Sequence, residues 1–286
     1  MSLLAPAKLN LGLFLGPRRD DGLHELRSLF CPLALADRVM VEEAPGEADE
    51  VICPQITGPN LVAVALEGLR ARGWRRAAVR IEIDKRIPVA AGLGGGSADA
   101  AAVLRLAAGE LDGIGELAAA LGADVPSQLA PRFALVSGAG EVVEPMPEPQ
   151  EFALVLIPPE GEGLETAAVY READQLGLGR DAAELDRVTA RLRQVAASAA
   201  SPLDYPPDLL ANDLEQAAIS LRPTIAEALA ALEEIGAARA MVTGSGPTAF
   251  GLFEDVFAAD EAASALPPRY ANAIVTAPQR RLAGLS

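Results

Sequence analysis

Four glycines fall within residues 92–96, and the chain then enters an alanine-rich stretch typical of a helix. Glycine lets a backbone approach a ligand closely, and the amides at a helix N-terminus attract anions. A flexible turn would explain one or two of these glycines, whereas four of them followed by Ser97 favour a phosphate site. The stretch lacks the lysine of a Walker A loop, and Ser97 takes the third glycine position of a Rossmann fingerprint. Both of these common phosphate loops are therefore excluded.

Three further polar residues stand in positions suited to chemistry. Asp124 lies in a predicted loop between a glycine and a proline, where a carboxylate can be solvated, cap a helix or accept a proton. Lys8 lies inside an apolar, strand-like segment and is one of only two lysines, the other being Lys85. The alternative for Lys8 is a charge that protects an edge strand. Asn10 lies two residues after Lys8, so on a strand both side chains project from the same face.

The composition limits the function classes. The chain of 286 residues has 40 acidic and 24 basic residues and a formal charge of −16, which argues against a broad nucleic-acid surface. Cys31 and Cys53 are too few for a zinc site or a disulfide framework and predict reduced thiols. His24 is the only histidine, and no apolar run approaches the ~20 residues of a membrane helix. We therefore expect a soluble, cytoplasmic protein with no nucleic-acid or membrane partner.

Hydrophobic patterns predict an α+β fold in two parts. Predicted strands cover residues 38–44, 77–83, 133–137, 141–145, 151–159, 238–243, 248–254 and 270–277. Predicted helices cover residues 61–72, 98–108, 114–121, 181–200, 208–220, 224–235 and 258–265. The proline-rich stretch 144–150 is the best candidate boundary, so we expect domains at residues 1–150 and 151–286.

The glycine-rich stretch PVAAGLGGGSADA resembles the second motif of the GHMP kinases, named for galactose, homoserine, mevalonate and phosphomevalonate substrates. Segments 5–30, 121–129, 209–218 and 240–253 are similar to other blocks of one branch of this family and stand in the same order. The resemblance implies an S5 domain 2-like N-terminal domain that carries the loop and a ferredoxin-like C-terminal domain.

The resemblance also implies roles for particular residues. Asp124 would be the catalytic base that accepts the proton of the acceptor hydroxyl, and Lys8 would keep it ionised and stabilise charge near the transferred phosphate. ATP would be bound by Pro88, Val89, Ala90, Ala91, Gly92, Leu93, Gly94, Gly95, Gly96, Ser97 and Ala98. The acceptor would contact Asn10, Leu23, His24, Tyr170, Thr243, Gly244, Ser245 and Gly246.

The implied reaction is ATP-dependent phosphorylation of a hydroxyl on a small cytidylylated acceptor, in the non-mevalonate route to isoprenoid precursors. Mg²⁺ would accompany ATP, with Ser97 the candidate protein ligand and no carboxylate assigned. Leu23 stands where the family pattern has a tyrosine that stacks on the base, which leaves Tyr170 as the aromatic side of that pocket. Two alternatives remain: a homoserine or mevalonate type of kinase, and a non-catalytic nucleotide-binding relative. We expect a monomer or a weak homodimer.

Overall fold

The computed structural model describes residues 1–56 and 58–280. The chain forms two compact units that interleave along the sequence. The first unit contains Met1–Ala7, Leu35–Val89 and Gly94–Pro131, and the second contains Lys8–Ala34, Ala90–Leu93 and the described chain from Arg132 onward. The predicted domains, residues 1–150 and 151–286, are each one continuous stretch of chain. These boundaries stay a prediction.

Two long strands run from one unit into the other along the chain: β1 (Ser2–Arg18) and β2 (His24–Glu43). The sequence patterns indicated only the C-terminal end of β2 as a regular strand. Its first half was missed because residues 26–33 are nearly all buried, so they do not alternate.

The first unit combines short strands with helices. Its further elements are β3 (Glu50–Ile52), α1 (Leu61–Ala71), β4 (Val79–Asp84), α2 (Gly95–Leu104), α3 (Ile114–Leu121) and α4 (Val125–Gln128). The C-terminal part of β2 pairs antiparallel with β4, and β3 pairs parallel with β4. Buried alanines of α2 pack with the apolar face of α1 in one core.

Local signals explain where these helices begin. The Asn60 side chain accepts a hydrogen bond from the Val62 amide at 2.9 Å and caps α1, as expected for an asparagine at this position. The predicted helix 98–108 begins earlier, at Gly95, because Gly94 adopts a left-handed conformation with φ of +69° and turns the chain into the helix. It also ends earlier, at Leu104, and continues as a 3₁₀ turn over Arg105–Ala107.

The second unit contains an antiparallel four-stranded sheet. Its strands are β7 (Ala153–Ile157), β8 (Arg239–Val242), β9 (Ala249–Phe253) and β10 (Ile274–Thr276), in the order β10-β7-β9-β8. In chain order, several helices connect β7 to β8, and α9 (Val256–Ser264) lies between β9 and β10. This order and these connections match a ferredoxin-like βαββαβ unit with extra helices, as predicted.

The rest of the second unit includes a hairpin and the helices of the long connection. The hairpin strands are β5 (Ala134–Gly138) and β6 (Val142–Pro145), and the helices are α5 (Thr166–Leu176), α6 (Ala182–Ala197), α7 (Glu215–Leu221) and α8 (Thr224–Glu234). The hairpin confirms the prediction, and β5 pairs with the start of β2. The prediction of one helix over 208–220 was wrong for its first half. Asn212 does not continue a helix there but pairs with Leu13 of β1 through a single parallel β-bridge. Helix α5 was not predicted.

No helix in the described ranges is long and apolar enough to cross a membrane.

Candidate active site

The first half of the glycine-rich loop lies against the turn that connects β8 and β9. Gly92 has φ of +78°, and a Cβ atom there would collide with the Gly246 carbonyl oxygen. Thr248 Oγ1 donates a hydrogen bond to the Ala91 carbonyl at 2.6 Å, and the Lys8 amide donates to the Leu93 carbonyl at 2.9 Å. These contacts fix this half of the loop. Glycine is required at position 92 because any side chain there would collide with the backbone of the neighbouring turn.

The second half of the loop is the N-terminus of α2. The first intrahelical bond of α2 runs from the Ala98 amide to the Gly94 carbonyl at 2.9 Å, so the amides of residues 95–97 precede it at the helix end. A Cβ atom on Gly95 would lie 3.1 Å from Lys85 Nζ, which is tight. A Cβ atom on Gly96 would meet nothing within 4 Å, and this residue is exposed. Packing within the protein therefore explains why residue 95 is glycine, but it does not explain why residue 96 is glycine.

A buried polar group surrounds Lys8 on β1. Lys8 Nζ donates a hydrogen bond to Asn10 Oδ1 at 2.6 Å, and the backbone amide of Asn10 donates one to Thr243 Oγ1 at 3.0 Å. Asn10 Nδ2 donates to Ser28 Oγ at 2.7 Å, and Lys8 Nζ lies 5.0 Å from the centre of the Phe30 ring. Lys8, Asn10 and Thr243 are at most 7% exposed, so the side chain of Asn10 holds the ammonium in one position. The edge-strand alternative for Lys8 is thus excluded.

The turn TGSG, residues 243–246, continues from Thr243 beside this group. A Cβ atom on Gly244, whose φ is +58°, would lie 3.1 Å from Asn10 Oδ1 and 3.3 Å from Lys8 Nζ. Asn212 Nδ2 donates to the carbonyls of Val242 and Gly244 at 2.8 and 2.7 Å. The structure therefore brings Lys8, Asn10, Thr243 and Gly244 together, and Asn212 holds the turn in place.

The segment ANDLE, residues 211–215, has a structural role. Asp213 accepts two hydrogen bonds from the Arg180 guanidinium, at 2.6 and 2.7 Å, and one from the Leu15 amide at 2.9 Å. Glu215 Oε2 accepts from the Val242 amide at 2.8 Å, and burial raises the pKa of this carboxyl. These bonds connect β1, the segment and β8 within the second unit.

His24 and Tyr170 form a second group of predicted site residues. The His24 ring lies 5.6 Å from the Tyr170 ring at an angle of 36°. His24 Nδ1 lies 3.2 Å from the Gly16 carbonyl oxygen, and Nε2 lies 3.1 Å from Asp174 Oδ1. Both ring nitrogens face oxygen acceptors, which fixes the orientation of the ring. His24 is the first residue of β2, and it is buried with 8% of its surface exposed. The neighbouring Leu23 is 53% exposed.

The other predicted acceptor contact, Ser245, lies beside the start of α5. Its hydroxyl is 3.1 Å from the Thr166 hydroxyl. Thr166, Ser28 and Asp174 were missed by the sequence analysis. The signal for Asp174 is its position four residues after Tyr170, which places both on one face of a helix. Ser28 and Thr166 carry no comparable local signal.

Asp124 belongs to the first unit and directly precedes α4. It is half-buried, and its side chain makes no capping hydrogen bond to α4, which excludes the helix-cap alternative. The Ser127 hydroxyl donates to the Asp124 carbonyl oxygen at 2.8 Å and closes the turn. Its action together with Lys8 stays a prediction.

Among residues 1–56 and 58–280, no group of three or more His, Cys, Asp or Glu side chains could hold a metal ion. Mg²⁺ typically keeps several waters and is bound through one or two protein groups and the phosphates of a nucleotide. Ser97 is the third residue of α2, and its role as a Mg²⁺ ligand stays a prediction.

The comparisons with known proteins agree with this architecture. The family model described as GHMP kinases N terminal domain matches residues 60–130, and the one described as GHMP kinases C terminal matches residues 183–272. The first match contains the glycine loop, and the second contains the TGSG turn. The fold and these matches define the class, which is the ATP-dependent small-molecule kinases of GHMP type.

Relatives named 4-diphosphocytidyl-2-C-methyl-D-erythritol kinase are similar over almost the whole chain. The protein of Anaeromyxobacter dehalogenans (strain 2CP-1 / ATCC BAA-258) is 41% identical, with 93% of this chain and 85% of the relative covered. That of Paracoccus denitrificans (strain Pd 1222) is 41% identical, covering 87% of this chain and 85% of the relative. The chain belongs to the GHMP kinase family, and within it to the group of kinases with this name.

Solved structures extend the comparison. A crystal structure of 4-(cytidine 5'-diphospho)-2C-methyl-D-erythritol kinase is 36% identical with a TM-score of 0.77, covering 98% of this chain and 100% of that chain. A homoserine kinase from Cytophaga hutchinsonii has a TM-score of 0.70 at 18% identity, covering 98% of this chain and 94% of that chain. The second likeness shows the fold alone.

Proposed function

We propose that this kinase transfers the terminal phosphate of ATP to the 2-hydroxyl of 4-diphosphocytidyl-2-C-methyl-D-erythritol. The observation that carries the proposal is the chain-long similarity, about 41% identity, to kinases named for this substrate. The product belongs to the non-mevalonate route to isoprenoid precursors. The prediction of a cytoplasmic monomer or weak homodimer, without nucleic-acid or membrane partners, accompanies this proposal.

The glycine loop is proposed to bind the ATP phosphates. The amides at the start of α2 precede the first intrahelical bond, and a helix N-terminus carries a partial positive charge that favours anions. Gly96 is exposed and leaves open space where a side chain would be, so a phosphate can approach its backbone. Ser97 would hold a Mg²⁺ ion together with the phosphates of ATP, and the ion would supply charge neutralisation between those phosphates.

Asp124 is proposed to accept the proton of the attacking hydroxyl. A positioned carboxylate typically contributes about 10²- to 10⁴-fold to the rate of such a step. Lys8, held by Asn10 at 2.6 Å, is proposed to stabilise charge that develops on the transferred phosphoryl group.

His24 and Tyr170 are proposed to hold the cytosine end of the acceptor. The Tyr170 ring is the aromatic surface, and the His24 ring is oriented by Gly16 and Asp174. Leu23, which is half-exposed, supplies apolar contact on the side where the family pattern has tyrosine. An aromatic ring stacked on a base contributes about 1–3 kcal/mol, so this pocket distinguishes a cytidylylated acceptor from a bare polyol.

The two alternatives have less support. Homoserine and mevalonate kinases share the fold at identities of 18 and 14%. A non-catalytic relative would not need a buried lysine whose ammonium is held by Asn10, because burying an ammonium costs free energy.

A panel of acceptors tests the proposal. The enzyme is incubated with ATP, Mg²⁺ and each acceptor in turn: the cytidylylated methylerythritol, free methylerythritol phosphate, homoserine and mevalonate. ADP release is followed for each. We expect turnover with the cytidylylated acceptor alone, and preferred turnover of homoserine or mevalonate would contradict the proposal.

A further inference from the structure

The second lysine of the chain, Lys85, is buried in an ion cluster directly behind the glycine loop. Its Nζ donates a hydrogen bond to Asp99 Oδ2 at 2.8 Å and another to Asp37 Oδ2. The side chains of Lys85 and Asp99 are 5% exposed, and that of Asp37 is fully buried. Burying charged groups costs free energy, and removing one partner of a buried ion pair leaves the other charge uncompensated.

The cluster connects three segments of the first unit. Asp37 lies on β2, and its Oδ1 accepts hydrogen bonds from the amides of Arg86 and Ile87 at 2.6 and 2.8 Å, so it fixes the chain that leads into the glycine loop. Asp99 lies on the first turns of α2, which begins inside the loop. Lys85 thus connects the entry of the loop to the helix that ends it.

The cluster also touches the loop itself. A Cβ atom on Gly95 would lie 3.1 Å from Lys85 Nζ, so the ammonium packs against the first residue of α2. Burial by itself would lower the pKa of Lys85, but the carboxylates of Asp99 and Asp37 outweigh it and raise this pKa, so the ammonium stays charged.

We propose that Lys85 and Asp99 are positioning residues that hold the start of α2 in the geometry that binds the ATP phosphates. The proposal rests on the proposed role of the glycine loop. Because a helix N-terminus binds an anion through several amides at once, a small rotation of α2 weakens all of them together. Asp37, Lys85 and Asp99 all belong to the first unit, so we expect loss of the cluster to change the KM for ATP and not the KM for the acceptor.

Asp99→Ala is the principal variant. It cuts the connection from α2 to Lys85 but leaves Lys85 paired with Asp37, so no carboxylate is left without its cation, and alanine is the best helix former. We expect the KM for ATP to rise about 10- to 100-fold, because a misplacement of about 1 Å can cost about 100-fold. The KM for the acceptor should stay within about twofold.

Asp99→Asn is the conservative variant, since its amide oxygen still accepts the hydrogen bond from Lys85, and it should restore most of the ATP affinity. Asp84→Ala is the matched control: this aspartate immediately precedes Lys85, is half-exposed and pairs with Arg86 at 3.1 Å outside the cluster. It should leave both KM values unchanged. Circular dichroism and the thermal midpoint establish that each variant is folded.

If a folded Asp99→Ala enzyme has the KM for ATP of the parent, the cluster does not position the loop. Asp99→Ser, whose shorter hydroxyl does not reach Lys85, gives a second test with the same expectation. If neither variant folds while Asp99→Asn does, the cluster serves the stability of the fold and the positioning role is equally refuted. Failure of the loop's own role is seen separately, as unchanged ATP binding in Gly96→Ala.

Discussion

Replacing Gly96 by alanine should strengthen the fold and weaken ATP binding at the same time. A Cβ atom at this position meets no protein atom within 4 Å, and its backbone φ lies outside the left-handed region. Alanine is favoured over glycine inside a helix by ~1 kcal/mol, and by less in the first turn, so the thermal midpoint should rise by about 1–3 °C. The same Cβ atom would occupy the space that a phosphate needs to reach the backbone.

The loss of affinity follows from the hydrogen bonds at stake. One hydrogen bond between an amide and a charged phosphate is worth about 1.5–3 kcal/mol, which corresponds to about a 10- to 100-fold rise in the Kd of ATP. Isothermal calorimetry with ATP and Mg²⁺ measures this Kd, and differential scanning calorimetry measures the midpoint.

Gly115→Ala is the matched control. Gly115 is the second residue of α3, as Gly96 is of α2, and each helix follows a glycine with positive φ. A Cβ atom on Gly115 also meets nothing within 4 Å. This variant should gain similar stability with no change in ATP affinity. If Gly96→Ala binds ATP as tightly as the control does, the loop is not the phosphate site.

Four other substitutions test the proposed base, the proposed base pocket and the stability of the fold in acid. Asp124→Asn should keep ATP affinity and lower kcat about 10²- to 10⁴-fold, since an amide cannot accept the proton; turnover within about threefold of the parent would exclude Asp124 as the base. Tyr170→Ala should raise the KM of the cytidylylated acceptor about tenfold and Leu23→Tyr should lower it, both with the KM for ATP unchanged, and an unmoved acceptor KM in Tyr170→Ala would remove the base pocket. Asp49 is bonded to Arg70, which holds the pKa of that carboxyl below its usual value. This pair stabilises the fold above the unfolded pKa of about 3.9 and is lost as the pH falls through the folded pKa, so Asp49→Asn should flatten the fall of the thermal midpoint in acid; an unchanged slope would contradict this.

Much of the fold could be predicted from local patterns. The amphipathic spacing of α1 and the alternation of β4 gave these elements within one or two residues. The sequence missed α5 and the first half of β2. Helix α5 buries only Val169 and Ala173 in eleven residues, and the first half of β2 is buried on both faces, so neither shows the usual period.

The candidate site could likewise be predicted from the sequence only in part. The sequence alone determined the glycine loop, because conformational freedom is a property of the residue type, and it placed Lys8 and Asn10 on one face, because a strand has a period of two. Only the tertiary structure decided that Thr243, 233 positions further on, would bond to the Asn10 amide, and that Lys85 would be buried between two aspartates. Periodicity fixes which face of an element is apolar, but it does not fix which distant element covers that face. That choice is made by packing over the whole unit, where buried polar groups must find partners, and no local stretch of sequence contains both members of such a pair.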